Sequence, residues 1–495
     1  MVNFGLLRLR SISYLYRFNL SLIIINLMNS NRRDFIKLAG LSSLSVLSSS
    51  LLVQANTSIP ETSEINKLAG LKTFNMCGFK APKLEKVRVG FIGVGNRGSG
   101  AIYRMNHIDG VEIKAISDIR RNIAERSLKN VSGPVPDIYA DKEDEWKKLC
   151  DRKDIDLVYI CTPWHLHTPM AVYAMKAGKH VAIEVPAATT VEECWQLVET
   201  SEATKKHCMM LENCCYDFFE LMTLNMARQG VFGEILHGEG AYIHDLLDSN
   251  FDKNSYYDMW RLKENFRNGN LYPTHGLGPV CQIMDINRGD QMDYLTSVST
   301  NDFSMSARAK ELAAKDDFYK QFANKQFRGN MNTTTVRTHK GRTIMLQHDV
   351  SSPRPYSRIH AISGTKGYAQ KWPEPGKIAF GHDWISADEM KKLEQQYTPE
   401  IVLKVGEMAK KVGGHGGMDF MMDWRLIDCL RNGLALDQDV YDAALWSVIG
   451  PLSEKSVKNR SNSVDIPDFT KGAWKTNQPV ELTLKGGGTT GVKGK

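Results

Sequence analysis

One short stretch constrains what this chain can fold into. Val87–Ile92 is an apolar run of strand length, and the chain then turns on Gly93-Val94-Gly95-Asn96-Arg97-Gly98. A helical stretch follows to about His107. Val111–Ser117 reads as a second strand and ends at Asp118, twenty residues past the last glycine. Strand, Gly-x-Gly-x-x-Gly, helix, strand and acid in that order is the pattern of a dinucleotide-binding turn. Gly93 permits the tight turn, Gly95 lets the backbone approach a pyrophosphate, and Gly98 lets the helix pack close to the strand. The helix start at Asn96 and Arg97 then presents free N–H groups to phosphates. Asp118 is placed to accept hydrogen bonds from the adenosine ribose and to repel a 2′-phosphate, which favours NAD over NADP. Arg120 and Arg121 follow it directly and leave that preference open. The alternative is a glycine turn in an α/β domain that binds nothing.

The same alternation continues. Leu157–Ile160, His180–Ile183 and Cys208–Leu211 read as buried strands, with helices around Met170–Ala177 and over Val191–Lys205. Strands alternating with helices predict a parallel, doubly wound sheet. The segments Cys161–His167 and Glu184-Val185-Pro186 follow buried strands and should line the ligand crevice at the carboxyl ends. Trp164, His167, Glu184 and Val185 are therefore candidate cofactor contacts. Glu212 and Asn213 follow the last of these strands, where they could reach the nicotinamide end.

Near residue 217 the pattern changes. Ile235–His244, Leu295–Ser299, Thr333–Thr338, Thr343–Val350 and Ser357–Ser363 read as strands with few helices between, and Glu407–Asn432 and Val440–Asn459 read as helices that pack back on the first domain. The expected fold is α/β: an N-terminal Rossmann dinucleotide-binding domain over 85–216, then an α+β substrate domain over 217–482 with a largely antiparallel open sheet. A linker at 56–84 and a flexible basic tail at 483–495 complete the scheme.

The formal net charge of +7 belongs to the ends. Residues 1–37 hold +5 and the last twelve +3, leaving a body of −1, which argues against nucleic acid as a partner. Nine cysteines without a Cys-x-x-Cys pair argue against a disulfide framework and a structural zinc site. His348-Asp349 and His415 show no metal-ligand spacing either, so no metal is expected. Residues 1–55 read as an export signal: Arg32-Arg33 resembles the twin-arginine pattern, an apolar stretch Leu38–Leu52 follows, and Val53-Gln54-Ala55 offers a cleavage site. Met28 is an alternative start. This implies an exported protein, periplasmic or on the cell surface, with no membrane span after processing.

The glycine turn, Thr162-Pro163-x-x-x-His167, Glu184-Val185-Pro186 and His415-Gly416-Gly417 resemble the glucose-fructose oxidoreductase and inositol dehydrogenase superfamily. Most dehydrogenases of that superfamily carry Glu-Lys-Pro, and Val185 replaces the lysine that assists proton transfer. Trp164–His167, Glu212-Asn213-Cys214-Cys215-Tyr216, Tyr242-Ile243-His244-Asp245 and Gly269–Gly276 more closely resemble the NAD-dependent α-N-acetylgalactosaminidases of glycoside hydrolase family 109. That resemblance implies hydrolysis of terminal α-linked N-acetylgalactosamine on a glycan, with NAD tightly bound and recycled: hydride leaves C3, the C2 proton and the glycosidic oxygen are eliminated, water adds, and hydride returns. NAD-dependent glycosidases stand outside the usual two-carboxylate displacement. Superfamily sheets pair face to face, which leaves room for a homodimer. Simple sugar dehydrogenation and a non-enzymatic NAD-binding role are the competing readings.

This chemistry needs proton carriers near C2 and C3. His275 follows Tyr272 by three residues, so both can lie on one side of a turn, and they are assigned to that task. Tyr242 and His244 alternate by two on a strand and face one side, where they could meet substrate and nicotinamide. Arg261, beside Trp260, and Tyr356 are candidate sugar contacts. A half-buried sheet aromatic is the plainer reading of Tyr242, a backbone-bonded helix residue that of His275, and a surface ion pair that of Arg261.

Overall fold

A computed structural model describes residues 74–481 and 483–493. The expected signal segment, 1–55, and most of the linker lie outside the described residues.

Six parallel strands form the first sheet: β1 (Val87–Ile92), β2 (Val111–Asp118), β3 (Asp137–Ala140), β4 (Leu157–Ile160), β5 (His180–Ile183) and β6 (Cys208–Met210). Their order is β3-β2-β1-β4-β5-β6. Strands are added outward in one direction from β1 to β3 and in the other from β4 to β6, and a crevice opens at the carboxyl ends of the strands at such a switch point, between β1 and β4. The glycine turn follows β1 and Cys161–His167 follows β4, one on each side of it. The helices α1 (Asn96–Met105), α2 (His167–Lys176) and α3 (Val191–Thr204) make the crossovers. Covered on both faces, β4 and β5 are buried at every residue, which explains their unbroken apolar sequence.

After α4 (Phe218–Arg228) comes the second sheet. It contains β7 (Ile235–Ile243), β8 (Met292–Ser299), β9 (Asn332–Thr338), β10 (Thr343–Asp349), β11 (Ala361–Gly364), β12 (Tyr368–Gln370), β13 (Lys377–Ala379) and β14 (Val464–Asp465). The order is β13-β12-β11-β7-β10-β9-β8-β14. The β7–β10 pair is parallel and its other pairs are antiparallel. One side of β7 packs against α5 (Thr274–Ile283).

Three sequence expectations are corrected. Glu407–Asn432 is two helices, α6 (Glu400–Val412) and α7 (Met418–Asn432); Gly413, Gly414, Gly416 and Gly417 all take positive φ between them and break the run. Ser357–Ser363 is not one strand, because Ile359 and His360 are left-handed and the buried Arg358 turns its guanidinium inward to Asp217 and Glu220. The tail is docked rather than free. Asp428 accepts from the amides of Gly488 (2.8 Å) and Thr490 (3.2 Å), and Val492 bridges Ile108. The linker's end, from residue 74, is likewise held, with Met76 buried.

As expected, the last helices return. α7 packs on α1 and β1, while α8 (Val440–Lys458) lies against α3, β6 and β8. The first sheet is thus roofed partly by chain from beyond residue 417. All nine cysteines are free thiols. No helix among the described residues is long and apolar enough to cross a membrane.

Candidate active site

The glycine turn has the shape its sequence demands. Gly93 has φ +80°, and a Cβ there would lie 2.8 Å from the Cys161 carbonyl oxygen. A Cβ on Gly98 would lie 2.1 Å from the Gly93 oxygen, so only glycine lets α1 start this close to β1. At the helix start Gly95 is half-buried, with Arg120 Nη2 3.5 Å from where a Cβ would stand, and Asn96 is exposed. Asp118 sits beside the turn: its Oδ2 accepts from the Val94 amide at 3.1 Å, and its Oδ1 from the Arg120 amide at 3.0 Å. An open glycine turn, a helix start and a buried carboxylate at the end of β2 fit a dinucleotide.

The other cofactor candidates are tied into the walls. Arg97 donates to Glu184 Oε1 (3.0 Å) and Asp419 Oδ2 (3.0 Å), and Asn213 donates to Asp419 Oδ1. Arg104, Asp423 and Tyr159 extend this network, with Arg104 Nε 2.6 Å from Asp423. The network clamps α1 to α7 below the turn, and Asp419, which sequence reasoning missed, is its hub. His415, in the glycine break, lies 2.9 Å from Asp419. His167 is fully buried, its ring nitrogens 2.7 Å from the Pro186 carbonyl and 2.8 Å from that of Thr162. Burial lowers its pKa, although both carbonyls oppose this. Val185 is packed in the core. The side chains of His167 and Val185 are therefore structural, which corrects the expectation that they meet the cofactor; only their backbones remain available.

The catalytic and sugar candidates converge. Gly240 on β7 and Gly276 on α5 touch through their backbones, since a Cβ on Gly276 would be 2.2 Å from the Ala241 nitrogen. This contact presses the start of α5 onto β7 and brings His275 beside Tyr242, with ring centres 5.5 Å apart. Tyr272 lies 4.7 Å from Tyr242 and 5.0 Å from His275, and stacks on Trp164 at 5.5 Å. Tyr242 Oη is 3.0 Å from His244 Nδ1, and Tyr356 closes the far side, 5.0 Å from His244. Arg261 lies 5.2–5.8 Å from the rings of Trp164, Tyr256, Trp260 and Tyr272. Among the described residues no carboxylate is within ion-pair range of it. The surface ion-pair reading of Arg261 is thereby excluded.

The strongest polar contact here joins residues far apart in sequence. His275 Nδ1 donates to Glu212 Oε1 at 2.7 Å. Glu212 is fully buried; burial alone would raise its pKa, but the pairing with His275 and the Cys214 amide lower it overall, so the carboxylate is ionised. In the neutral tautomer that keeps its proton on Nδ1, towards the carboxylate, the ring offers a lone pair on Nε2. Burial raises the pKa of Tyr242, Tyr272 and Tyr356, which keeps all three phenols protonated at neutral pH. Burial lowers that of His244. The site therefore brings together imidazoles, which can accept a proton, and phenols, which can donate one. Behind Tyr356, burial and then Asp217 push Glu220 up to about 8, while Arg358 bonds to both acids.

Residues 87–212 match the oxidoreductase family described as an NAD-binding Rossmann fold, and residues 216–476 match the glycosyl hydrolase 109 C-terminal domain. A glycosyl hydrolase family 109 protein of Shewanella pealeana is 48% identical over 473 residues, covering 92% of this chain and 99% of its own length. An alpha-N-acetylgalactosaminidase of Shewanella oneidensis is 46% identical over 472 residues, with the same coverage. Among solved structures, the myo-inositol dehydrogenase of Lactobacillus casei in complex with NAD(H) and myo-inositol shares the fold, with a TM-score of 0.54 and 17% identity over 78% of this chain and 99% of its own. A levoglucosan dehydrogenase complex with NADH and L-sorbose gives 0.57 and 18%, over 78% and 100%. The chain belongs to glycosyl hydrolase family 109, as a glycoside hydrolase built on an NAD-binding Rossmann domain.

Proposed function

We propose that the protein hydrolyses terminal α-linked N-acetylgalactosamine in a cycle with no net redox change. The observation that carries this reading is the Glu212–His275 pair, set among Tyr242, Tyr272 and Arg261 where the crevice of an NAD-binding sheet meets the second sheet. Gly93, Gly95, the start of α1 and Asp118 would hold the NAD. Bound NAD supplies a hydride acceptor and donor at C3 of the sugar.

The chain's residues move the protons. His275 Nε2 takes the proton of the C3 hydroxyl, and the buried Glu212 carboxylate stabilises the imidazolium that results. Val185 leaves no lysine for this task. Tyr242 and His244 form the second carrier, serving the C2 proton that oxidation at C3 acidifies. Tyr272, held as a phenol, donates to the oxygen on which charge develops. Arg261, a cation with no carboxylate in ion-pair range among the described residues, is placed to bind the acetamido oxygen, and Tyr356 packs against the ring. A twin-arginine leader delivering the folded, cofactor-loaded protein out of the cytoplasm is part of this proposal, supported by Arg32-Arg33 and the apolar stretch after them.

Release of p-nitrophenol from p-nitrophenyl α-N-acetylgalactosaminide, followed together with absorbance at the NADH band, tests the reading. Release without NADH build-up is expected. NADH formed from free sugars with no release would replace it with a dehydrogenase.

A further inference from the structure

We propose that Glu212, Cys214 and His275 form a binding site for a thiophilic divalent cation, for which Zn²⁺ is the probe, and that filling it stops turnover. The 3₁₀ turn Asn213–Tyr216 after β6 folds Cys214 back on Glu212, whose Oε1 accepts from the Cys214 amide at 3.0 Å. Pressed onto β7, α5 adds His275 from the other side. One carboxylate oxygen, one thiol sulfur and one imidazole nitrogen then lie within 4.8 Å of one another. A second observation points to a ligand. Glu212 is fully buried, and its Oε2 makes no well-aligned hydrogen bond among the described residues, its polar neighbour being the equally unpartnered hydroxyl of Thr274.

The donor set selects the class of ion. Three protein ligands of mixed O, N and S type with a fourth position left for water suit zinc, which binds sulfur at about 2.3 Å and imidazole nitrogen at about 2.0 Å. Magnesium and calcium need six or more oxygen ligands and find only one carboxylate here. Cys214 Sγ makes one side-chain contact, at 3.5 Å with Asn213 Oδ1, which a cation would displace. The way in is past His275, whose side chain keeps 13% of its exposure while Glu212 is closed off.

The consequence follows from the imidazole. A cation on Nδ1 uses that nitrogen's lone pair, so the ring proton must sit on Nε2. The thiol loses its proton to water. His275 then carries N–H where it needs a lone pair, and the Glu212 hydrogen bond that orients it is gone. Binding stands on the geometry alone; the loss of turnover rests on His275 acting as the base.

The test uses the cofactor-loaded protein and its Cys214→Ser variant. Zn²⁺ is titrated by calorimetry in two buffers to count released protons, and Co²⁺ by absorption to look for a thiolate-to-cobalt band. A single equivalent, about one proton released and a cobalt band are expected for the wild type. Cys214→Ser should lose the band, bind about tenfold or more weakly, and keep hydrolysing at a Zn²⁺ concentration that silences the wild type; Cys214→Ala serves if the serine variant does not fold. Mg²⁺ should do nothing. No saturable binding, or the same binding and inhibition in wild type and variants, would overturn the proposal. Binding and the cobalt band are read even from a protein that does not hydrolyse the α-N-acetylgalactosaminide, so failure of the functional reading is seen separately.

Discussion

At the scale of single residues, the account turns on which groups can accept a proton. Glu212→Gln keeps the shape and an acceptor for His275 Nδ1–H but removes the charge that stabilises the imidazolium. We expect kcat to fall roughly 10²- to 10⁴-fold with KM little changed; an unchanged kcat would remove Glu212 from the mechanism. Tyr242→Phe keeps the ring contacts and loses the bond to His244. It should slow p-nitrophenol release by about 10²-fold and leave reduced cofactor accumulating, visible as absorbance, because oxidation at C3 no longer leads on to elimination. Much of this site was legible in the sequence. Tyr242, His244, Tyr272 and His275 were found from their spacing and motifs, and all four ring systems meet. The Glu212–His275 bond was not legible, because it spans 63 residues and depends on the backbone contact of Gly240 with Gly276. His167 and Val185 were misplaced for a different reason. A polar or apolar residue at a strand end can face the crevice or the wall, and local sequence does not say which.

Among elements, the strands buried on both faces were the easiest to read. β1, β4 and β5 stand within the bounds that their apolar runs predict. β3, an edge strand with an exposed start, and the three-residue β12 and β13 carry too little pattern to be seen. The break between α6 and α7 shows that a hydrophobic period can run across a cluster of glycines that no helix survives. That break has a structural consequence: it lets His415 and Asp419 meet Arg97 under the glycine turn. At the turn itself, Gly98→Val puts side-chain atoms where the Gly93 carbonyl lies. The expected outcome is loss of NAD binding, measured by calorimetry or by retained cofactor, with a protein that also melts earlier. Retained NAD at wild-type affinity would mean that the dinucleotide lies elsewhere.

At the scale of the whole molecule, the C-terminal residues dock on the cofactor domain and on the helix that returns to it. The tail bonds to Asp428 and, through the Thr490 carbonyl, to the Trp424 indole; Gly491 and Lys493 pair with Asp109 and His107 beside β2. Deleting residues 483–495 should lower stability by about 1 kcal/mol for each hydrogen bond lost, read as a lower melting temperature and weaker retention of NAD; an unchanged melting temperature would show that the docking contributes nothing. Burial sets the acid limit as well. His180, His207 and His360 are each pushed down to about 3. The unfolded chain binds protons on these groups below about pH 6.5 while the folded one does not. Stability should therefore hold above that pH, fall as pH drops from 6.5 towards 3 by up to about 1.4 kcal/mol per pH unit for each histidine, and level off below; a flat denaturation midpoint over this window would contradict the buried, neutral state of these rings. The central claim, that the glycosidic bond leaves by elimination after oxidation at C3, is tested most directly by hydrolysing p-nitrophenyl α-N-acetylgalactosaminide in D₂O and examining the released sugar by NMR. Deuterium at C2 with no net NADH is the predicted result. A sugar that carries its original hydrogen at C2, released by protein stripped of NAD as fast as by loaded protein, would contradict it.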